Sequence, residues 1–112
     1  MATTGKATFS HVRMAPTKVR VVANLVRGKR VETAMELLQF CTRRAAGPVL
    51  KLLKSALANA DQRGGVDVDR LYVRTLTVNE GPRLKRSRPR SRGMAHPIVK
   101  ASSHLQIELG ER

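Results

Sequence analysis

Residues 83–92 read Arg-Leu-Lys-Arg-Ser-Arg-Pro-Arg-Ser-Arg, which places six cations in ten positions with no acidic residue among them. Charge of this density repels itself and cannot enter an apolar core without partners. A run of like charge is often only a solvated or disordered tail. This run is internal, however, and a strand pattern lies on each side of it. The position therefore predicts a protruding segment that faces an anionic surface, of which nucleic-acid phosphate is the commonest.

The two flanking strand patterns set the length of this segment. Residues 71–78 are rich in β-branched side chains, and their apolar phase shifts midway, which predicts either a β-bulge or a strand whose two halves bury different faces. Leu105, Ile107 and Leu109 alternate with polar residues, as in a half-buried strand. Residues 79–102 lie between them, far more than the ~2–5 residues of a compact hairpin connection. Two extended arms of about ten residues each, at ~3.3 Å per residue, predict a projection of roughly 30 Å.

Proline and glycine give the projecting segment its local features. Pro89 and Gly93 provide turn chemistry near the tip. Pro97 cannot donate to a strand ladder, so we expect pairing to lapse there. Alone in water the segment is expected to be poorly ordered, because it has no core to offset its chain entropy.

The rest of the chain reads as a small α+β body. Residues 6–13 predict a first strand, and Pro16 suits the first position of a helix over residues 16–27, followed by Gly28 as a left-handed stop. A third helix begins near Ala45 and ends at Gly64-Gly65, and its apolar stripe is expected to hold the sheet. A second helix is predicted over about residues 31–40, with apolar positions at Val31, Ala34, Met35, Leu37 and Leu38.

Charge and composition narrow the function. The chain has 112 residues, enough for one domain, with 22 Lys and Arg against 8 Asp and Glu and a net charge of +14. Residues 1–30 and 83–112 are strongly basic, while residues 31–82 are nearly balanced. Only three aromatic residues occur, which argues against recognition by stacking unpaired bases. Contacts to phosphate, sugar and groove shape by Arg and Lys remain.

Residues for catalysis, metal binding or membrane insertion are not evident in the sequence. The lone Cys41 allows no internal disulfide, which favours a reducing compartment. The acid-free N-terminus could be an organelle transit peptide, but Pro16 and Gly28 favour a folded strand and helix. No apolar run is long enough to span a membrane. We therefore expect no enzyme activity and no cofactor. We also expect no metal site, since His11, His96, His104 and Cys41 lack metal-ligand spacing.

Seven short motifs carry a family resemblance. They are residues 13–20 (RMAPTKVR), 25–29 (LVRGK), 55–60 (SALANA), 78–82 (VNEGP), 84–86 (LKR), 89–93 (PRSRG) and 103–104 (SH). In this order and spacing the chain resembles, over essentially its whole length, the bacterial-type large-subunit ribosomal protein family number twenty-two, the exit-tunnel hairpin proteins. Residues 94–97 (MAHP) replace a more basic stretch of that family.

The resemblance implies a fold and a division of the chain. The implied fold is α+β, with three helices packed on a small three-stranded antiparallel sheet and a long protruding β-hairpin. It forms a single domain over residues 1–112, with a globular body at 1–78 and 103–112 and a hairpin at about 79–102.

The resemblance also implies a structural role in the large ribosomal subunit, without enzyme activity. The implied partners are large-subunit rRNA, neighbouring ribosomal proteins and the nascent peptide, with no membrane and no small-molecule substrate. The implied location is the cytoplasmic ribosome, with an organelle ribosome as the alternative. The expected rRNA contacts are Arg13, Lys18, Arg20, Arg27, Lys29 and Arg30 on the body, and Arg83, Lys85, Arg86, Arg88, Arg90, Arg92, Lys100 and His104 on the hairpin. The expected tunnel-lining tip comprises Arg86, Ser87, Arg88, Pro89, Arg90, Ser91, Arg92 and Gly93.

Two alternatives from other classes remain at this point. A free DNA- or RNA-binding regulator would need a recognition helix or an aromatic platform, and neither is evident. A cationic protein of membrane surfaces would need a helix with large apolar residues opposite Lys and Arg, whereas residues 16–27 offer only Val, Ala and one Leu.

Overall fold

The computed structural model describes residues 5–65 and 67–111. Its main elements are β1 (Gly5–Val12), α1 (Pro16–Val26), α2 (Val31–Gln39), α3 (Ala46–Arg63), β2 (Leu71–Glu80), β3 (Leu84–Pro89), β4 (Ala95–Lys100) and β5 (Ser103–Glu111). Short 3-10 turns occur at Val68–Arg70 and Ser91–Gly93. The predicted α+β class, the three helices and the two antiparallel assemblies of strands are confirmed.

The body is organised around a three-stranded antiparallel sheet in the order β1-β5-β2. The central strand β5 buries Leu105, Ile107 and Leu109 completely, as the alternation of its sequence predicts. The pairing of β2 with β5 shifts by one residue between Val73 and Thr75, so the bulge is the correct one of the two interpretations of the change of apolar phase.

Helix α3 packs across β1 and β5 and closes the core. Val49, Leu53 and Ala56 on its inner face are fully buried. The approach to β1 is close, because a Cβ added at Gly5 would lie 2.6 Å from the carbonyl oxygen of Ala56. The helix and the strand therefore fit only with glycine at this position.

The first two helices match their predicted ranges to within one residue. Gly28 follows α1 with a φ of 76°, as expected of a left-handed stop. In α2 the buried stripe is Val31, Ala34 and Leu38, whereas Leu37 is 42% exposed. This nine-residue helix therefore presents only part of its apolar residues to the core.

Strands β3 and β4 form a separate two-stranded hairpin that extends from the body. The molecule measures 65 Å along its longest axis and 24 and 19 Å across it. The body ladder ends where the Gly81 N–H donates to the Ser102 carbonyl at 2.9 Å. The hairpin ladder resumes at Leu84 opposite Lys100, so two residues on the outgoing arm oppose Ala101 on the returning arm.

Pairing does not lapse at Pro97, which lies opposite Ser87 inside a continuous ladder. The Arg90 N–H donates to the Met94 carbonyl at 2.7 Å, which marks a hydrogen-bonded pair. Counting from that pair in the alternating antiparallel pattern, Pro89 and Pro97 both fall at non-hydrogen-bonded positions, where the backbone nitrogen points to the outer edge. Neither proline therefore removes a ladder bond, and the expectation of a break was wrong.

The turn at the hairpin tip lies further along the chain than the proline suggested. Pro89 is the last residue of β3, and the chain reverses over Ser91–Gly93. Arg92 and Gly93 both adopt left-handed conformations, with φ of 60° and 70°. Gly93 thus has the turn role predicted for it, whereas Pro89 does not.

Candidate nucleic-acid interface

The hairpin has two chemically different faces, because residues directly opposite each other in the ladder share a side and successive residues alternate. One side, here called the basic face, carries Leu84, Arg86, Arg88, His96, Ile98 and Lys100. The other side, here called the small-residue face, carries Lys85, Ser87, Pro89, Ala95, Pro97 and Val99. All of these residues except the half-buried Ile98 are exposed. Cations therefore concentrate on one side of a thin, solvent-exposed ribbon.

The root of the hairpin is fixed to the body by polar contacts. The Ser102 hydroxyl donates to the Pro82 carbonyl at 2.5 Å, and the buried Ser103 hydroxyl donates to the Met14 carbonyl at 2.7 Å. The His11 N–H donates to Nδ1 of His104 at 3.1 Å. His104 was predicted as an rRNA contact, and the structure places it half-buried, with one ring nitrogen already committed to the body.

His11 and Arg83 complete the root. His11 adopts a left-handed φ of 59° where the β1–β5 pairing shifts register, and this bulge brings its N–H to His104. Arg83 forms an ion pair with Glu80 three residues earlier, with both side chains about half exposed. Such a pair is worth only about 0–1 kcal/mol, so the Arg83 guanidinium can exchange it for a phosphate at little cost.

Two of the predicted body contacts are exposed but also have structural partners within the protein. Arg20 donates to the Val78 carbonyl at 3.0 Å, and Arg27 donates through Nε to the Leu76 carbonyl at 2.9 Å. Leu76 and Val78 occupy alternate positions of β2 whose carbonyls point away from β5. The arginines on this side of α1 therefore satisfy the open edge of the sheet, which edge strands otherwise expose.

We expect Arg27→Ala to lower the free energy of unfolding of the isolated protein by about 1–2 kcal/mol, because a charge-assisted hydrogen bond to a β2 carbonyl is lost. Lys54→Ala on the exposed side of α3 is the matched control, with an expected change within about 0.5 kcal/mol. Urea unfolding monitored by circular dichroism measures both. Equal stability of the two variants would contradict a structural role for Arg27.

The loop between α1 and α2 continues the coverage of the same sheet edge. The Gly28 N–H donates to the Val73 carbonyl at 3.0 Å, and the Val73 N–H donates to the Lys29 carbonyl at 2.8 Å. Arg30 donates to the Asp69 carbonyl at 2.5 Å. Lys29 and Arg30 are exposed, but they are held here beside β2 and do not join the hairpin cations.

A cleft of about 900 Å³ lies between the body and the returning arm of the hairpin. It is here called the basic cleft, and its lining residues are Arg13, Met14, Ala15, Lys18, Arg43, Arg44, Ala45, Val99, Lys100 and Ala101. Five of the ten are cations and none is acidic. Arg13, Lys18 and Lys100 were predicted as contacts from the sequence.

Arg43 and Arg44 were missed as contacts because they fall in the charge-balanced middle of the chain. A signal was present, since this adjacent pair lies one residue before α3 and has no acidic residue within six positions on either side.

The acidic residues do not form a site among themselves. Glu108 pairs with Lys6 at 3.9 Å and Glu111 pairs with Arg70 at 3.8 Å. Within residues 5–65 and 67–111, no group of three His, Cys, Asp or Glu side chains is placed to hold a metal ion. No helix in the same ranges is long and apolar enough to cross a membrane. What the surface offers chemically is cationic hydrogen-bond donors, which suit phosphate oxygens.

Comparison with known proteins agrees with this geometry. The family model described as ribosomal protein L22p/L17e matches residues 7–110. Among relatives named large ribosomal subunit protein uL22, that of Anaeromyxobacter sp. strain K is 50% identical over 105 residues, which cover 93% of this chain and 72% of the relative. That of Syntrophotalea carbinolica is 45% identical over 107 residues, which cover 96% and 97%. That of Mesoplasma florum is 50% identical over 102 residues, which cover 91% of each chain.

The family match spans the body and the hairpin together, since residues 7–110 contain all of the helices and both arms. The relatives likewise align over nearly the whole chain at about half identity. With its three-helix body and its exposed basic hairpin, this chain belongs to the ribosomal protein L22p/L17e family.

Proposed function

We propose that this protein is a structural, non-enzymatic constituent of the large ribosomal subunit, located on the ribosome, where it binds large-subunit rRNA and contacts neighbouring ribosomal proteins. One observation carries the proposal. The hairpin from residue 84 to residue 100 contains no acidic residue, exposes nearly every side chain and carries three cations on its basic face against one on the other, with two more at the turn. A ribbon of this kind buries almost no apolar surface of its own, so an anionic partner must supply the stabilisation.

The residues proposed to bind rRNA fall into three groups. The basic cleft contributes Arg13, Lys18 and Lys100, joined by Arg43 and Arg44. The hairpin contributes Arg83, Lys85, Arg86, Arg88, Arg90 and Arg92, with His104 at its root. Lys29 and Arg30 form a third group on the α1–α2 loop, and Arg20 and Arg27 approach RNA only with the donors that their β2 contacts leave unused.

We further propose that the tip, residues 86–93, lines the nascent-peptide exit tunnel. The two faces support a division of roles. Arg86 and Arg88 on the basic face hold rRNA of the tunnel wall, while Ser87 and Pro89 on the small-residue face are directed to the lumen. Arg90 and Arg92 at the turn give the lumen a local positive potential that a passing peptide experiences.

The test of the proposed function is a sucrose-gradient profile of cell extract containing the tagged protein at moderate salt. We expect the protein to co-sediment with large subunits and to leave them only at high salt. A free regulator would remain near the top of the gradient, and a membrane-surface protein would pellet with vesicles. Either of those profiles would contradict the proposal.

A pair of variants with the same change in charge tests the division of roles in the hairpin. We expect Arg86→Gln/Arg88→Gln to reduce the magnitude of the slope of log K against log salt for rRNA binding by ~1.4, because two phosphate contacts are lost at ~0.7 counterions each. Arg90→Gln/Arg92→Gln should reduce that slope by a smaller amount, because these arginines are directed mainly to the lumen, and should in addition alter the stalling of particular nascent chains in translation extracts. The opposite pattern would show that the tip arginines anchor rRNA.

A further inference from the structure

The basic cleft lies where three separate segments of the chain meet. Arg13 and Lys18 flank the turn from β1 into α1, Arg43 and Arg44 precede α3, and Lys100 ends the returning arm of the hairpin. The cleft is thus bounded by the body on two sides and by the hairpin on the third. Any ligand that fills it contacts both parts of the molecule at once.

Few contacts other than the root fix the angle between hairpin and body. Among the described residues, strands β3 and β4 pair only with each other, and they form a sheet separate from the body sheet. The two ladders are separated by the irregular step at Ala101, across which the register changes by one residue. A two-stranded ribbon is marginally stable by itself in water. The root therefore attaches the hairpin to the body, and few other contacts help to hold it in one direction.

The electrostatics of the cleft oppose closure unless an anion is bound. Five cations face a space of about 900 Å³, with no acidic side chain on its lining. Like charges gathered around one space repel one another. Met14 and Val99 add apolar surface to the lining. The volume is at the upper end of ligand pockets, which hold ~300–1,000 Å³, and therefore admits more than a single phosphate ion.

We propose that the basic cleft binds a segment of RNA backbone, and that this segment fixes the angle at which the hairpin leaves the body. Arg43 and Arg44 hold phosphates from the body side and Lys100 holds the same segment from the arm. The inference rests on the proposed rRNA binding and adds to it a positioning role for one site. Without an RNA segment in the cleft, rRNA still binds the hairpin but does not fix the angle between the hairpin and the body.

The experiment measures the distance distribution between body and hairpin tip by pulsed electron resonance. Spin labels are placed through Ala58→Cys on the exposed side of α3 and Ser91→Cys at the tip, in a Cys41→Ser background. The cleft variant is Arg43→Gln/Arg44→Gln. Its matched control is Lys51→Gln/Lys54→Gln, which removes the same charge from the exposed side of α3. Each protein is measured alone, with saturating large-subunit rRNA and with inorganic phosphate.

We expect rRNA to narrow the distribution of distances between the two labels in the protein with the unmodified cleft and in the control. In the cleft variant at full rRNA occupancy, this distribution should stay as broad as in the free protein. The cleft variant should also lose ~1.4 from the magnitude of its salt slope. A cleft variant that narrows like the control would overturn the proposal. So would narrowing by inorganic phosphate alone, which would identify a free anion as the ligand. If the unmodified protein bound no rRNA, the proposed function itself would fail instead.

Discussion

Raising the salt concentration from about 50 to about 200 mM should weaken binding to large-subunit rRNA by roughly 10³- to 10⁴-fold. If about eight cations each engage a phosphate and release ~0.7 counterions, the slope of log K against log salt is near −6. The hairpin and the basic cleft together supply that number of exposed cations. Fluorescence anisotropy of a labelled protein at five or more salt concentrations measures the slope.

The control for this prediction is a neutral crowding agent at the same osmolality, which should leave the affinity nearly unchanged. A slope shallower than about −2 would contradict phosphate neutralisation as the main source of affinity. The affinity would then have to come from apolar or base-specific contacts, although this chain has few aromatic side chains to make them.

Leu53→Ala should lower the free energy of unfolding by about 2–5 kcal/mol, because it empties a fully enclosed site between α3 and the sheet. Leu53 has no exposed surface, whereas Leu37 on α2 is 42% exposed. Leu37→Ala is therefore the matched control, with an expected loss below about 1 kcal/mol. Urea unfolding of both variants provides the comparison.

Losses of similar size at the two positions would mean that α2 packs more deeply than the structure has it. Because a small domain has only about 5–15 kcal/mol of stability in total, we also expect the Leu53 variant to be poorly recovered at 37 °C. The Leu37 variant should be recovered normally.

The strands and helices that bury one face in the core were predictable from the sequence. Alternation at Leu105, Ile107 and Leu109 defined the central strand, because a strand with one face in the core must alternate. The β2 bulge followed from a change of phase, since an extra residue moves the apolar set to the other side. Helix α3 was predicted for the same reason, at the helical period.

The details that depend on register or on distant neighbours were not predictable. A proline in a strand pattern suggests a break in the strand. Whether it removes a ladder hydrogen bond depends on whether it falls at a hydrogen-bonded or a non-hydrogen-bonded position, and the position of the turn at Ser91–Gly93 decides this. Arg20 and Arg27 share a helix face in the sequence. Only the packing of α1 beside β2 gives that face carbonyl partners. Arg43 becomes part of a site only because the returning arm of the hairpin lies beside it in the folded protein.

The account as a whole rests on a body that is folded by itself and a hairpin that RNA orders. Amide hydrogen exchange of the full-length protein, alone and bound to large-subunit rRNA, tests this most directly. We expect residues 50–60 to be protected in both states. Residues 83–92 should exchange almost freely in the isolated protein and become protected in the complex. Strong protection of residues 83–92 without RNA, or none with RNA bound, would contradict the account.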